Sequence, residues 1–470
     1  MPRVSFSVAR LHWHSVRQRG AYLGQRNQSI DDRIPLLSRA VKVRRSELAG
    51  LVGGFLYFFF LLCSYYMLRP VRDEMGVRGG VENLQWLFTA TFFAMLVAVP
   101  IFAALASRFP RRRLIPAVYG FFILCIVGFW GWLESGVAGS WAARTFFVWL
   151  SVFNLFVVSV FWSFMADTFD HRQAARLFGA IAAGGSAGAI LGPGITASLA
   201  AEVGPAPLLP LAAGVLALTL PCMFGLARWS SRRRDGAPRT GRAAEEPLGG
   251  AILEGVRAVA GSRYLVGICV FIWLYTTLAT FLYFTQADIL KTAIPDSGER
   301  TSVFAAIDLA TNALTVGIQL FATARLVERF GLARTLALVP ALVAVGFLAL
   351  ATAPALAVIA TVQVVRRAGN YALARPGREM LFTVVSRMEK YKAKNFIDTV
   401  VYRGGDAVAG WAFAGLSAAG LGLRGSALVA VPLALAWLVV GYWLGRRHQG
   451  RARALEEDIR DVRSPLPETS

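Results

Sequence analysis

The sequence predicts an all-α polytopic membrane protein with twelve transmembrane helices in two six-helix bundles. Three observations lead there. Hydrophobic residues make up 56% of the 470 residues and charged residues only 16%, whereas a soluble domain ordinarily holds ~25% charged residues. Apolar runs near the ~20 residues that a helix needs to cross a bilayer recur along the whole chain. A polar break, SSRRRDGAPRTGRAAEEPLGG at 230–250, divides the chain nearly in half; its Gly, Pro and Arg content reads as a linker between two bundles.

By apolar length, the first half holds spans at 50–68, 84–106, 114–134, 144–166, 178–200 and 207–227. The second half holds spans at 264–286, 301–324, 334–353, 355–376, 396–420 and 424–445. The expected organisation is a basic tail (1–48), a six-helix bundle (49–228), a linker (229–263), a second bundle (264–445) and a C-terminal tail (446–470). Six spans followed by six is the layout of parallel repeats in transporters. Two echoes at nearly equal offsets agree with duplication. LASRFPRRRL around Arg108 resembles LVERFGLARTL around Arg329, and the pair Gly184-Gly185 has a counterpart in Gly404-Gly405.

The formal charge of +21 tracks the loops. One side carries the N-terminal tail, Arg108 with Arg111 to Arg113, Arg172 with Arg176, and Arg232 to Arg234. It also carries Arg325 with Arg329, Lys390 to Lys394, and Arg446 with Arg447. The positive-inside rule therefore places both termini in the cytoplasm, with Arg69, Arg72 and Arg78 as exceptions on the other side. Basic loops of this kind report membrane topology and do not call for a nucleic-acid partner. The first 30 residues lack Asp and Glu and read as a cytoplasmic tail, with an organelle transit peptide as the alternative.

Cys63, Cys125, Cys222 and Cys269 form no metal-spaced pair, and His12, His14, His171 and His448 are scattered. No metal and no cofactor are expected. No nucleophile-base pair appears, and GxxxxGK[ST] is missing, so neither an enzyme nor an ATP-driven pump is expected.

The fifth span, FGAIAAGGSAGAILGPG, spaces Gly184, Gly188 and Gly192 four apart, on one helix face. Such a stripe lets a neighbouring helix approach closely.

The chemistry lies in ionisable residues within or at the ends of the spans. A charge at mid-bilayer costs about 2.5–3.5 kcal/mol on insertion scales, so it faces a cavity or a partner. Asp308 lies in span eight, Arg366 and Arg367 in span ten, Arg403 and Asp406 in span eleven; Asp167 closes span four, and Arg69 and Arg72 end span one. Arg366 and Arg367 are adjacent and point ~100° apart, so only one of them is expected to face the cavity. Arg403 and Asp406, three apart, can pair on one face. Arginine outnumbers carboxylate among the deepest positions. An excess of buried guanidinium calls for an anion, and its fork suits carboxylate or phosphate. The acids can relay protons or hold the arginines when the site is empty.

Three segments resemble the ATP/ADP translocase family, the nucleotide exchangers of plastids and obligate intracellular bacteria, which are distantly related to the major facilitator superfamily. NYALARPGREMLFTVVSRMEKYKAKNFIDTVVYRGGD (370–406) is similar to that family's pattern at Tyr371, Pro376, Glu379, Met380, Asp398 and Arg403. YYMLRPVRDEM is similar to its Leu-Arg-x-x-Lys-Asp element at the end of span one. FWSFMADTFDHRQAARLFGAIAAGGSAG is similar to its Phe-Trp segment. The resemblance implies a major-facilitator-like fold in a bacterial cell membrane. It carries functional lysines onto Arg72 and Arg378, and functional acids onto Asp167 and Asp308. Departures stand at Asn370 in place of lysine, Arg375 in place of aspartate and Asp406 where lysine is frequent.

The expected substrate-binding set is therefore Arg69, Arg72, Asp167, Asp308, Arg367, Arg378, Arg403 and Asp406. The expected activity is secondary transport of an organic anion by alternating access, with nucleotide exchange as the named case. The alternative is a proton-coupled facilitator for a drug-like or peptide-like metabolite. The expected partners are an anionic solute, protons and the lipid bilayer.

Overall fold

The computed structural model describes residues 43–234, 256–386 and 393–463, apart from positions 110, 138, 258 and 395. The basic tail before 43, the central break at 235–255 and most of the lysine-rich loop lie outside the described residues. All regular structure among the described residues is helical. The first half holds α1 (Leu48–Arg78), α2 (Leu84–Arg108), α3 (Arg111–Glu134), α4 (Gly139–Thr168), α5 (His171–Val203), α6 (Leu208–Ala217) and α7 (Thr219–Arg234). The second half holds α8 (Arg263–Ala293), α9 (Ser297–Phe321), α10 (Thr323–Thr352) and α11 (Leu356–Gly369). α12 (Arg375–Leu381), α13 (Tyr402–Ala418) and α14 (Leu423–Arg463) follow.

Among the described residues ten helices are long and apolar enough to cross a membrane, α6 and α7 together making one of them. They coincide with spans one to nine and span twelve of the sequence. Spans ten and eleven are the remaining two, and each is interrupted by a π-helical turn. Asn370–Ala374 joins α11 to α12, and Ile397–Val401 leads into α13. Span ten also carries two buried arginines, Arg366 and Arg367. π-turns inside helices mark functional sites more often than chance would give.

Each half has its own core. Tyr57, Met67, Phe146, Phe161, Ile181 and Leu209 belong to the first, and Ile268, Leu278, Leu336, Phe347, Phe382 and Trp437 to the second. The second core also takes in Val77, Leu84, Leu87 and Phe147 from the first half, so the two bundles are joined at one end. We call that end the distal face. The opposite, terminal face holds the start of α1 and the basic turns.

Helix α5 packs along α1, and α13 packs on α8 in the second half. These are the first and fifth spans of each half. The glycine stripe accounts for the first contact. A Cβ at Gly184, Gly188 or Gly192 would overlap the carbonyl oxygens of Phe55, Phe59 and Cys63, on successive turns of α1. Gly405 plays the equivalent part, where a Cβ would meet the Thr276 hydroxyl of α8.

The halves touch through α9 against α1 and α5, α8 against α1, and α13 against α2. Asn312 Nδ2 donates to Ala189 O at 2.6 Å, and Ser302 Oγ to Ala197 O at 2.6 Å. Trp411 Nε1 donates to Thr89 Oγ1 at 3.1 Å while its ring packs edge-on against Trp86. These contacts run from the middle of the molecule to the distal face.

Local signals set the helix ends. Asp170 caps α5 by accepting from Gln173 N at 2.8 Å, and Gln173 Oε1 accepts from Asp170 N at 3.2 Å, a reciprocal capping box. Asp296 caps α9 by accepting from Glu299 N at 2.8 Å. The turn predicted between spans eight and nine is a sharp break inside α10, at Gly331 with φ 74°, a backbone state that only glycine adopts without strain. Helix α14 continues beyond the apolar span to Arg463. Opposite charges four apart, such as Arg453 and Glu457, suit a helical extension.

Candidate functional site

A cluster of ionisable side chains lies where α1, α8, α9, α11 and α13 converge. Its centre is Asp308, midway along α9 and 1% exposed. Arg367 Nη2 of α11 donates to Asp308 Oδ1 at 2.5 Å, and Arg69 Nη1 of α1 lies 3.5 Å from the same oxygen. One carboxylate oxygen therefore bridges the two halves. Asp308 Oδ2 is buried and meets no hydrogen-bond partner among the described residues.

Arg366, next to Arg367, is just as buried. Its Nη2 donates to Gln363 Oε1 at 2.7 Å, and Gln363 Nε2 donates to Gln286 Oε1 of α8 at 2.6 Å. Among the described residues Arg366 meets no carboxylate within ion-pair distance. The helical angle between adjacent residues suggested that only one of this pair faces the interior. The structure buries both, because α11 is flanked by α9 on one side and by α8 on another, so two of its faces are interior.

Arg72, one turn beyond Arg69, donates to Asp73 Oδ1 through Nε at 3.1 Å and Nη2 at 2.8 Å. Its guanidinium stacks on Phe147 of α4, 4.6 Å from the ring centre. Tyr283 OH of α8 donates to the same Asp73 oxygen at 3.1 Å. Arg403 and Asp406 of α13 form only a long pair, 3.9 Å apart. Asp406 lies within electrostatic reach of Arg403, Arg366 and Arg72, and Tyr371 within reach of Arg69, Arg367, Arg366 and Asp308. The side chains of Arg72, Asp406 and Arg403 keep 19, 19 and 37% exposure.

Six of the eight expected residues are thus brought together: Arg69, Arg72, Asp308, Arg367, Arg403 and Asp406. The other two lie elsewhere. Asp167 is near the C-terminus of α4, about 30 Å along that helix from Phe147 and the Arg72 guanidinium. Arg378 sits in α12, about 16 Å of helix beyond Arg367. There it faces Asp398 Oδ1 at 3.6 Å and Glu379 Oε1 at 3.8 Å, and Lys394 Nζ holds Glu379 Oε2 at 2.6 Å. This group ties span ten to span eleven near the terminal face.

Residues outside the expected set also matter. Arg366, Gln363, Gln286, Asp73 and Tyr283 complete the cluster. Glu74, fully buried, takes Arg300 Nε at 2.8 Å and Nη2 at 2.6 Å, while Arg300 Nη1 donates to Ile294 O and Pro295 O. That bidentate pair clasps α1 to α9 at the distal face. The polar glutamines in apolar spans were a usable signal. Arg300, at the start of its span, looks like ordinary flank in the sequence.

Three solved structures share the fold. A bacterial homologue of the iron transporter ferroportin in an inward-facing state is 13% identical, with TM-score 0.59, covering 86% of this chain and 98% of that one. The POT family transporter PepTSo is 14% identical, with TM-score 0.57, covering 87% and 98%. The nucleoside transporter NupG is 11% identical, with TM-score 0.56, covering 85% and 99%. No curated protein matches the chain. The family description Major Facilitator Superfamily matches residues 50–365. That match runs through both halves and over well more than half of the sequence, and the protein belongs to the major facilitator superfamily.

Proposed function

We propose that this secondary transporter moves an organic anion by alternating access, with a nucleotide as the candidate solute and exchange as its mode. Arg366 carries the reading. It is a buried guanidinium in the middle of span ten that, among the described residues, donates to one amide oxygen and meets no carboxylate within ion-pair distance. Such a charge is costly to maintain in lipid or in a dry core. It becomes favourable when a carboxylate or phosphate enters and takes its fork. Exposure is graded from Arg366 out through Asp406 and Arg72 to Arg403, as expected for a site that opens into a watery inlet.

The mechanism follows from the pairing. In the empty protein Asp308 occupies Arg69 and Arg367 together and holds α1, α9 and α11 in register. An entering anion competes for both arginines. The bridge between the halves then passes through the solute, and the two bundles rock around it. The distal contacts, the bidentate Glu74–Arg300 pair among them, are the ones that must part for opening on that side. Arg378, Glu379, Lys394 and Asp398 sit on the opposite route. Tyr65, Tyr66 and Tyr371 border the guanidiniums and offer flat faces and hydroxyls to a ring-bearing solute. We assign 49–228 and 264–445 as the moving bundles, with both termini cytoplasmic in a bacterial cell membrane.

A second reading has one observation behind it. The unpartnered Asp308 Oδ2 is a place for a proton, which favours coupling of uptake to a pH gradient. Proteoliposome uptake of labelled ATP, ADP and small organic anions separates the two. Acceleration by internal nucleotide supports exchange. Uptake driven only by a pH gradient, and indifferent to internal nucleotide, supports proton coupling. Uptake of neutral solutes with no anion competing would defeat the anion reading.

A further inference from the structure

We infer that the site selects for a solute carrying two negative charges, a phosphate monoester or a dicarboxylate, over otherwise similar monoanions. This rests on the anion reading above and adds the charge of the solute to it.

The inference comes from counting the groups that act on one another. Arg69, Arg72, Arg366, Arg367 and Arg403 supply five guanidiniums. Asp73, Asp308 and Asp406 supply three carboxylates. The cluster therefore carries two positive charges in excess among the described residues. Glu74, one residue beyond Asp73, is matched by Arg300 and adds nothing to that excess.

The excess is also localised. Asp73 is committed to Arg72 and Tyr283. Asp308 gives a single oxygen to two arginines. Arg403 and Asp406 sit at the outer limit of an ion pair. Arg366 and Arg367 are adjacent on one helix and both buried; Arg366 has no carboxylate within ion-pair distance among the described residues, and the Nε of each meets no hydrogen-bond partner there. A monoanion leaves one charge of the cluster unmatched in a low-dielectric setting. A dianion neutralises it and presents enough oxygens for two forks. Gln286 and Gln363 offer neutral amides beside the pair and add no charge of their own.

The test is a pair of matched comparisons on the purified full-length protein, read as ligand-induced thermal stabilisation titrated to an affinity at about pH 8. Phenyl phosphate, a dianion above its second pKa of about 6, is set against methyl phenyl phosphate, a monoanion. Succinate is set against monomethyl succinate. In at least one pair the dianion is expected to bind about tenfold tighter or more, a difference of one well-placed charge interaction. The pair that shows it tells phosphate from dicarboxylate. Arg403→Gln, at the most exposed position, reduces the excess by one and is expected to shrink the ratio several-fold. Equal affinity for monoanion and dianion in both pairs, or a ratio unmoved by Arg403→Gln, overturns the charge rule and leaves the anion reading standing. Binding of none of the four anions, with a neutral nucleoside such as uridine still stabilising the protein, overturns both.

Discussion

Asp308 is the residue on which the empty site depends. It is buried, sits mid-helix, and is shared by guanidiniums from both halves. Removing one partner of a buried ionic group leaves uncompensated charge behind, at a cost on the order of 3 kcal/mol. Asp308→Asn is therefore expected to lower the thermal midpoint of the detergent-solubilised protein clearly. Arg366→Gln is expected to leave it unchanged or to raise it, since that substitution removes a charge with no carboxylate partner. Thermal unfolding followed by tryptophan fluorescence makes the comparison. At this scale much was legible in the sequence. Charges within apolar runs stand out because lipid tolerates them poorly, and six of the eight expected residues converge. The structure sets Asp167 and Arg378 apart from that cluster. Both carry the charge that the motif resemblance asks for, yet they lie toward the ends of their helices. The sequence reading set Arg366 aside, because the angle between neighbours on a helix does not say how many neighbouring helices surround it.

Among the elements, the α1–α5 pair is held by absence of side chain. Gly188 lies against the backbone carbonyl of Phe59, so a larger residue has nowhere to go. Gly188→Leu is expected to cost several kcal/mol, by analogy with overpacked cores, and to abolish the monodisperse peak in size-exclusion chromatography. Gly194, two residues beyond the stripe, has open space around the site of its missing Cβ. Gly194→Ala is expected to change stability by no more than about 1 kcal/mol. The spacing of the stripe was visible in the sequence, and its partner was not, because nothing in the glycines names the helix that fits them. The interrupted spans were foreseen only as charged segments. A π-turn adds one residue to a turn without changing residue type, so composition did not announce the widening at Asn370–Ala374 and Ile397–Val401.

For the molecule as a whole, the two bundles are closed on each other from the middle to the distal face. Ser302 on α9 and Ala197 on α5 lie on that seam. An Ala197→Cys, Ser302→Cys pair is expected to crosslink under mild oxidation, to stop transport while crosslinked, and to recover on reduction. Unchanged transport with complete crosslinking would mean that the distal seam never has to open. The succession of membrane-spanning helices was readable from apolar length, since the bilayer sets helix length so strictly. The seam itself was not readable, because it depends on how the helices of the two halves face each other. The claim that joins the three scales is that the guanidinium excess around Arg366 exists to hold an anion. Its most direct measurement is proteoliposome uptake of labelled ATP, ADP and small organic anions by wild type and Arg366→Gln, with equal protein incorporation verified. Uptake by the variant is expected to fall about 30-fold or more, as loss of a buried charge-assisted contact implies. Anion uptake by Arg366→Gln at the wild-type rate would contradict the account.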